Sequence, residues 1–356
     1  MFSRIVSQLA PGGDITRISE GDFIRLRDHS ILFACSRFNG SAADDARADL
    51  ICMRSRDEGE TWSEPRLLLS AAALDAVNVM SVSFLRMQRG DLGLFLIAKT
   101  RPGVYRIFLL RSRDEGGRFD QVIDCQKTLA TGNYVVNNSR VIRLSTGRIL
   151  IPLAHHRVSH REEGPMCKDS RATAVFLCSD DDGDTFYEAP DTVSLPFPVS
   201  RSGLQEPGLL ELRSSAVWAY FRTDLHAQYE AFSYDGGLHW TPAQPSRFTS
   251  PLSPMKVARH PLSGELFAVW NPVPAYVGRS LSPAGWGRNP LVLARSRDDG
   301  ATWSEPLILE DDEQHGYCYP ALFFTEDGGL LLSYCSGGPG EGSCLARTTL
   351  RKLSDL

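Results

Sequence analysis

The chain is 356 residues long, 42% hydrophobic and 23% charged, with a formal net charge of -5. Acidic and basic residues are interspersed, so no basic stripe points to a nucleic acid, and no segment approaches the ~18–20 apolar residues of a membrane-spanning helix. Met1 to Gly13 holds one Arg and no apolar run of signal-peptide length, which leads to the expectation of a cytoplasmic protein.

Read in chain order, Arg17-Ile18-Ser19 precedes an apolar strand from Phe23 that turns at Asp28 to Ser30 and returns through Ile31 to Ser36-Arg37-Phe38. A loop with Asp44, Asp45 and Asp49 leads into the apolar strand Leu50 to Met53 and then into the turn Ser55-Arg-Asp57-Glu-Gly59-Glu-Thr61-Trp62. The same turn returns at Ser112-Arg-Asp114-Glu-Gly116. Asn137, Asn138, Ser139 and Arg140 then stand before a strand, turn and strand from Val141 to Ile151, with Leu153 to His156 beyond it. After the turn Ser179 to Phe186 come Gln205-Glu206-Pro207, a strand ending Phe221-Arg222-Thr223-Asp224, and the turn Ser233 to Trp240. Arg288-Asn289-Pro290 opens the strand Leu291 to Ala294, before the turn Ser296 to Trp303. His315 to Leu322, with Tyr317 and Tyr319, opens the last apolar pair, which closes at Leu332.

The five turns start 57, 67, 54 and 63 residues apart. A period of about 60 residues divides the chain into about six units. Each unit reads as strand, turn, strand, then strand, Asp turn, strand, and helical periodicity is nearly absent. In the turn, the Asp side chain caps its own backbone, the Gly supplies a positive φ and the aromatic packs back between sheets. The expectation is an all-β, six-bladed β-propeller forming a single domain over residues 1–356. The eight cysteines show no Cys-x-x-Cys spacing, and several lie in apolar runs such as Ile31 to Cys35. Buried free thiols are therefore expected rather than disulfides or zinc ligands, and no cofactor or metal is foreseen.

The repeated turn is the Asp-box. Together with the segments between its copies, from Arg17 to Tyr334, the chain resembles the sialidase (neuraminidase) superfamily, in the branch marked by bacterial neuraminidase repeats. The resemblance implies a propeller of the sialidase type and a set of site residues. Sialic acid bears a carboxylate on its anomeric carbon, so these enzymes use a Tyr activated by a Glu rather than a carboxylate nucleophile, and grip the substrate carboxylate with three arginines. By that resemblance Arg17, Arg222 and Arg288 form the arginine triad, with Arg279 as a competitor for the third place. Tyr319 and Glu206 form the nucleophile pair, with Tyr317 nearby. Asp45 is the acid/base, with Asp44 and Asp49 as rivals. Arg37 matches a family arginine that lines the pocket. Apart from the resemblance, Asn137 to Arg140 and Leu153 to His156 place polar groups at corresponding ends of two strands, from which Asn138 and Arg140 are expected to contact sugar hydroxyl or acyl groups.

Two departures mark a divergent member: Ser19 stands where the family's first arginine motif has Pro, and Cys35 where it often has Glu. The implied activity is retaining exo-hydrolysis of a terminal sialic acid or related 2-keto sugar acid, so the expected partner is a glycan or sugar acid. A glycosidase of the same fold acting on another sugar, and a non-catalytic glycan-binding propeller, are the alternatives.

Overall fold

Short strands with alternating or continuous apolar character, punctuated by Asp-Gly turns, fold here as antiparallel ladders. The structure is a computed structural model that describes residues 2–101, 104–127, 133–159, 167–196 and 199–356. Among these residues the strands form five hydrogen-bonded sheets. Three are four-stranded: Gln205–Glu211 to Gln244–Thr249, Lys256–Arg259 to Leu307–Glu310, and Gly316–Phe324 with Leu330–Gly337, Arg347–Ser354 and Phe2–Leu9. One, from Asn133–Val135 to Tyr187–Glu188, has five strands.

The fifth sheet is eight-stranded and runs from Ile15–Arg25 to Gln121–Asp124. Its two halves are joined by one parallel bridge, Ala48 with Asn78. Hydrogen bonding therefore does not divide the chain into six sheets, as the repeat count leads one to expect. The Asn78 side chain reinforces the junction by donating to the carbonyl oxygens of Ala46 and Asp44, at 2.6 and 3.2 Å.

The architecture is all-β and propeller-like. The N-terminal strand Phe2–Leu9 pairs with the C-terminal strand Arg347–Ser354, from Phe2 opposite Ser354 to Leu9 opposite Thr348. The two chain ends thus complete one sheet, with the N-terminal strand at its edge. No helix among the described residues is long and apolar enough to cross a membrane.

The repeated turn sews neighbouring ladders together. In its first copy the Ser55 Oγ accepts the Gly59 N–H at 2.8 Å, and Asp57 accepts the Thr61 N–H at 2.9 Å. Gly59 has φ 83° and lies so close to Leu331 that an added Cβ would stand 2.5 Å from that side chain. Trp62 packs against Phe23 and Phe33, with centroids 6.1 and 6.3 Å away.

The residue after the motif Asp has a second task that the sequence pattern does not announce. Glu58, Glu115, Asp182 and Asp299 bind Arg25, Arg86, Arg143 and Arg259 of their own ladders. Each also accepts a backbone N–H from the adjoining turn, of Glu326, Arg27, Gln88 and Arg213 respectively. In four of the five turns one carboxylate therefore ties two ladders together through charge-assisted bonds, whereas the turn from Ser233 has Gly236 at this place.

Candidate active site

The inner strands converge through a shared irregularity. Glu20, Ser81, Ser139, Glu206 and Tyr319 are left-handed, with φ of 62, 63, 55, 49 and 54°. Four of them sit at register shifts, between Ser19 and Asp22, Met80 and Ser83, Gln205 and Gly208, and Cys318 and Ala321. A bulge with one residue in this conformation re-aims its side chain at a cost of ~1–3 kcal/mol. Here the re-aimed groups meet: Ser81 donates to Glu20 at 2.6 Å between the two halves of the eight-stranded sheet, and Tyr319 to Glu206 at 2.7 Å across two sheets.

The Tyr319 hydroxyl donates to Glu206 Oε1, which also accepts from Arg222 Nη1 at 2.6 Å. Arg222 Nη1 lies 3.4 Å from the Tyr319 oxygen. Glu206 and Arg222 face one another because Gln205 pairs with Arg222 across two adjacent antiparallel strands. The Arg288 guanidinium lies over the Tyr319 ring, 5.7 Å from its centroid.

Burial raises the Glu206 carboxyl, but Arg222, the Tyr319 hydrogen bond and Arg288 outweigh it and hold the group below the usual carboxylate range. Burial and the Glu206 charge drive the Tyr319 phenol well above its ordinary value, against the two arginines. The resting pair is therefore an ionised base beside a protonated phenol, the state from which a tyrosine gives up its proton as it attacks. Glu206 Oε2 and Arg222 Nε are buried and have no hydrogen-bond partner among the described residues. Unspent hydrogen-bonding capacity at this depth is what a polar ligand would satisfy.

Arg17 is 1% exposed and already heavily engaged. Its Nη2 binds Glu20 at 2.8 Å, its Nη1 binds Asp44 at 2.6 Å, and its Nε donates to Ser19 at 2.8 Å. Its flat face covers Phe38, 4.3 Å from the ring centroid. Glu20, buried to 3% exposure, is a site residue that the sequence reading does not single out. Its only local signal is its place three residues after Arg17, next to Gly21, where an added Cβ would stand 2.2 Å from Phe33. Burial raises the Glu20 carboxyl, with Asp44 and Glu206 acting in the same direction and Arg17 and Ser81 against it.

The three loop aspartates occupy different surroundings. Asp44 binds Arg17; burial raises its carboxyl, but Arg17 and Lys99 prevail and bring it below the usual range. Asp45 accepts the Tyr105 hydroxyl at 2.9 Å and lies 3.4 Å from Lys99 Nζ. Asp49 accepts the Ala71 N–H at 2.9 Å and stands 4.0 Å from Arg37. Arg37 is the register partner of Ile18, whereas its neighbour Phe38 is that of Arg17, so strand alternation sends Arg37 to the other face of the ladder.

Asn138 spends its side-chain N–H groups on the carbonyl oxygens of Gly21 and Tyr319, at 2.8 and 3.3 Å, tying two of the bulges together. Arg140 is buried and donates to Tyr220 at 3.1 Å. Lys256 contacts the Ser139 carbonyl. Arg279 is half-exposed and pairs with Asp311 at 2.5 Å, whereas Arg288 stands against Tyr319. His156 is pushed down to about 4, by burial first and then by Lys168, so its ring is neutral near pH 7. No group of three His, Cys, Asp or Glu among the described residues is placed to hold a metal ion. The seven cysteines whose side chains are described are free and buried.

Residues 27–332 match the BNR repeat-like domain. The chain belongs to the BNR repeat-like family. Solved structures of similar fold accompany this BNR repeat-like chain. A protein of unknown function from Dyadobacter fermentans superposes with a TM-score of 0.72 at 18% identity, over 99% of each chain. The Hadza microbial sialidase Hz136 does so with 0.73 at 17% identity, over 95% of this chain and 66% of its own. The leech intramolecular trans-sialidase gives 0.70 at 14% identity, over 99% of this chain and 70% of its own. No curated protein sequence matches the chain.

Proposed function

We propose that the protein is a retaining exo-glycosidase of the sialidase type that releases a terminal sialic acid or related 2-keto sugar acid, and that the eight-stranded sheet counts as two blades of a six-bladed propeller. The observation that carries this reading is the triple contact of Tyr319, Glu206 and Arg222, in which one carboxylate oxygen accepts from both phenol and guanidinium. A buried phenol hydrogen-bonded to an ionised carboxylate and flanked by two arginines suits attack on an anomeric carbon that itself carries a negative group. The arginines neutralise that group and favour the developing phenolate, while Glu206 takes the proton.

Arg222 and Arg288 hold the substrate carboxylate, with Arg17 at the edge of the clamp. Asp45 protonates the leaving oxygen and then activates water. Asp44 is engaged by Arg17 and Asp49 by the Ala71 N–H, whereas Asp45 is bonded to the Tyr105 hydroxyl and stands near Lys99. Asp45→Asn should then slow cleavage of an alkyl-linked sugar far more than of one with an acidic phenol leaving group.

The corner of the clamp at Arg17 is already occupied by protein carboxylates. Glu20 and Asp44 hold both terminal nitrogens of that arginine, so a ligand carboxylate meets two carboxylates before it meets Arg17. The reading is tested with a fluorogenic sialoside beside related keto-sugar acid glycosides. Release from at least one, lost in Tyr319→Phe, supports it; full activity of Tyr319→Phe on the true substrate contradicts it.

A further inference from the structure

Three cysteines crowd around the proposed nucleophile. Cys318 directly precedes Tyr319, Cys335 is its register partner on the next strand, and Cys344 lies in the turn after Pro339–Glu341; with Tyr319 they form one buried cluster. Cys344 packs on the strand that carries Cys318: its Cβ is 3.0 Å from the position a Cβ would take on Gly316.

Arg288 Nη1 sits between two of the sulfurs, 3.1 Å from Cys318 Sγ and 3.6 Å from Cys344 Sγ. A guanidinium is a poor neighbour for two neutral thiols and a good one for a thiolate. Cys318 is fully buried, whereas Cys344 keeps 6% of its surface exposed and stands beside the partly exposed Arg288.

We propose that Cys344 and Cys318 are a modification site for peroxides, in which the Cys344 thiolate, paired with Arg288, is oxidised first and then captured by Cys318 as a disulfide. The assignment rests on the sulfur and guanidinium geometry and not on the glycosidase reading. Burial drives the Cys318 thiol well above its ordinary value, so it keeps its proton. The hydrogen bond from Cys318, with Arg288 beside it, lowers the Cys344 thiol against its burial. One thiolate and one thiol are the pair that the chemistry needs.

In the first step the Cys344 sulfur attacks hydrogen peroxide. The O–O bond breaks, a sulfenic acid forms, and the departing hydroxide takes a proton from solvent to become water. In the second, Cys318 displaces the sulfenyl hydroxyl; the S–O bond breaks, the S–S bond forms, and the thiol proton leaves with the hydroxyl as a second water. Two electrons pass from the sulfurs to the peroxide. Arg288 then loses its anionic partner at the corner where the substrate carboxylate is proposed to bind.

The test is a mass measurement that needs no substrate. The native protein is treated with dilute hydrogen peroxide, alkylated, and cut after glutamate, which places Cys318, Cys335 and Cys344 in three different peptides because Glu326 and Glu341 lie between them. The expected result is a Cys318–Cys344 linked pair that dithiothreitol separates, retained in Cys335→Ser and absent in Cys344→Ser. In the untreated protein at pH 7, iodoacetamide should label Cys344 at least about ten-fold faster than the buried Cys35 or Cys125. Linkage of Cys318 to Cys335, or a Cys344 that reacts only after unfolding, would overturn the proposal. A protein silent toward every sugar tested would leave these masses unchanged, so the two readings fail separately.

Discussion

The Tyr319 hydroxyl donates to Glu206 Oε1 at 2.7 Å, and both residues hold left-handed backbone conformations, with φ of 54 and 49°. Neither conformation is local preference, since non-glycine residues adopt it at a cost of ~1–3 kcal/mol. The contact exists because two bulges on separate sheets are held in place by the packing around them, among it the Asn138 side chain bonded to the Tyr319 carbonyl.

If that contact generates the nucleophile, Tyr319→Phe should lower kcat by at least about a thousand-fold, and Glu206→Gln by about a hundred-fold or more. Both variants preserve size, but Glu206→Gln takes the counter-charge from the buried Arg222 and should also lower the melting temperature, whereas Tyr319→Phe should leave it nearly unchanged. Steady-state kinetics alongside thermal melts separates the chemical effect from a structural one.

The Arg17 and Glu20 pair leads to an opposite expectation, a gain on removal of charge. Glu20→Gln takes one carboxylate away from Arg17 and from the surroundings of Glu206. Binding of an unsaturated sialic acid analogue should tighten by about ten-fold, equivalent to ~1.4 kcal/mol. Titration calorimetry reads the change directly; weaker binding would show that Glu20 helps to build the anion site rather than to close it.

In the first repeated turn, Gly59→Ala combines φ 83° with a Cβ 2.5 Å from Leu331. The expected loss is ~2–4 kcal/mol of unfolding free energy, the backbone and overpacking costs together. Gly40, also at positive φ but with open space around its added Cβ, is the control for the backbone cost alone. Urea unfolding of both variants measures the difference.

The turn aspartates also fix the direction of acid sensitivity. Asp235 and Asp298 are brought down to about 2, and Asp57, Asp114 and Asp181 are lowered as well. For Asp235, backbone and side-chain bonds from His239 and Ser233 overcome burial; for Asp298 the Thr302 bonds lead. Folded values below the unfolded ones mean that this stability is fully present above pH ~4 and is lost as the pH falls toward ~2. Unfolding free energy measured between pH 5 and 2.5 should fall steadily, and Asp298→Asn should flatten part of that slope.

The sequence makes the turns legible because Ser, Asp, Gly and the aromatic each do a local job that their order announces. Glu206, Arg222 and Tyr319 stand out by their places relative to those turns, and the structure brings the three into contact. Glu20 is hidden because its role depends on a bulge, and a single Glu beside Gly21 does not reveal that the strand turns left-handed there. The bond from Asn138 to two backbone carbonyls is equally invisible, since its partners lie 117 and 181 residues away. Arg25, Arg86, Arg143 and Arg259 recur at strand ends at the spacing of the turns, a periodic signal that becomes readable only once their carboxylate partners are known.

The central claim is that Tyr319 forms a bond to the sugar. A 2,3-difluorinated sialic acid, or the matching derivative of whichever keto-sugar acid proves to be the substrate, slows formation of the sugar–enzyme bond and slows its hydrolysis more. Mass spectrometry of the peptide from Gln314 to Glu326 should then show one added sugar, with fragment ions assigning it to Tyr319 and not to Tyr317. An adduct on a carboxylate, or turnover of the true substrate with no adduct on this peptide, would contradict the account.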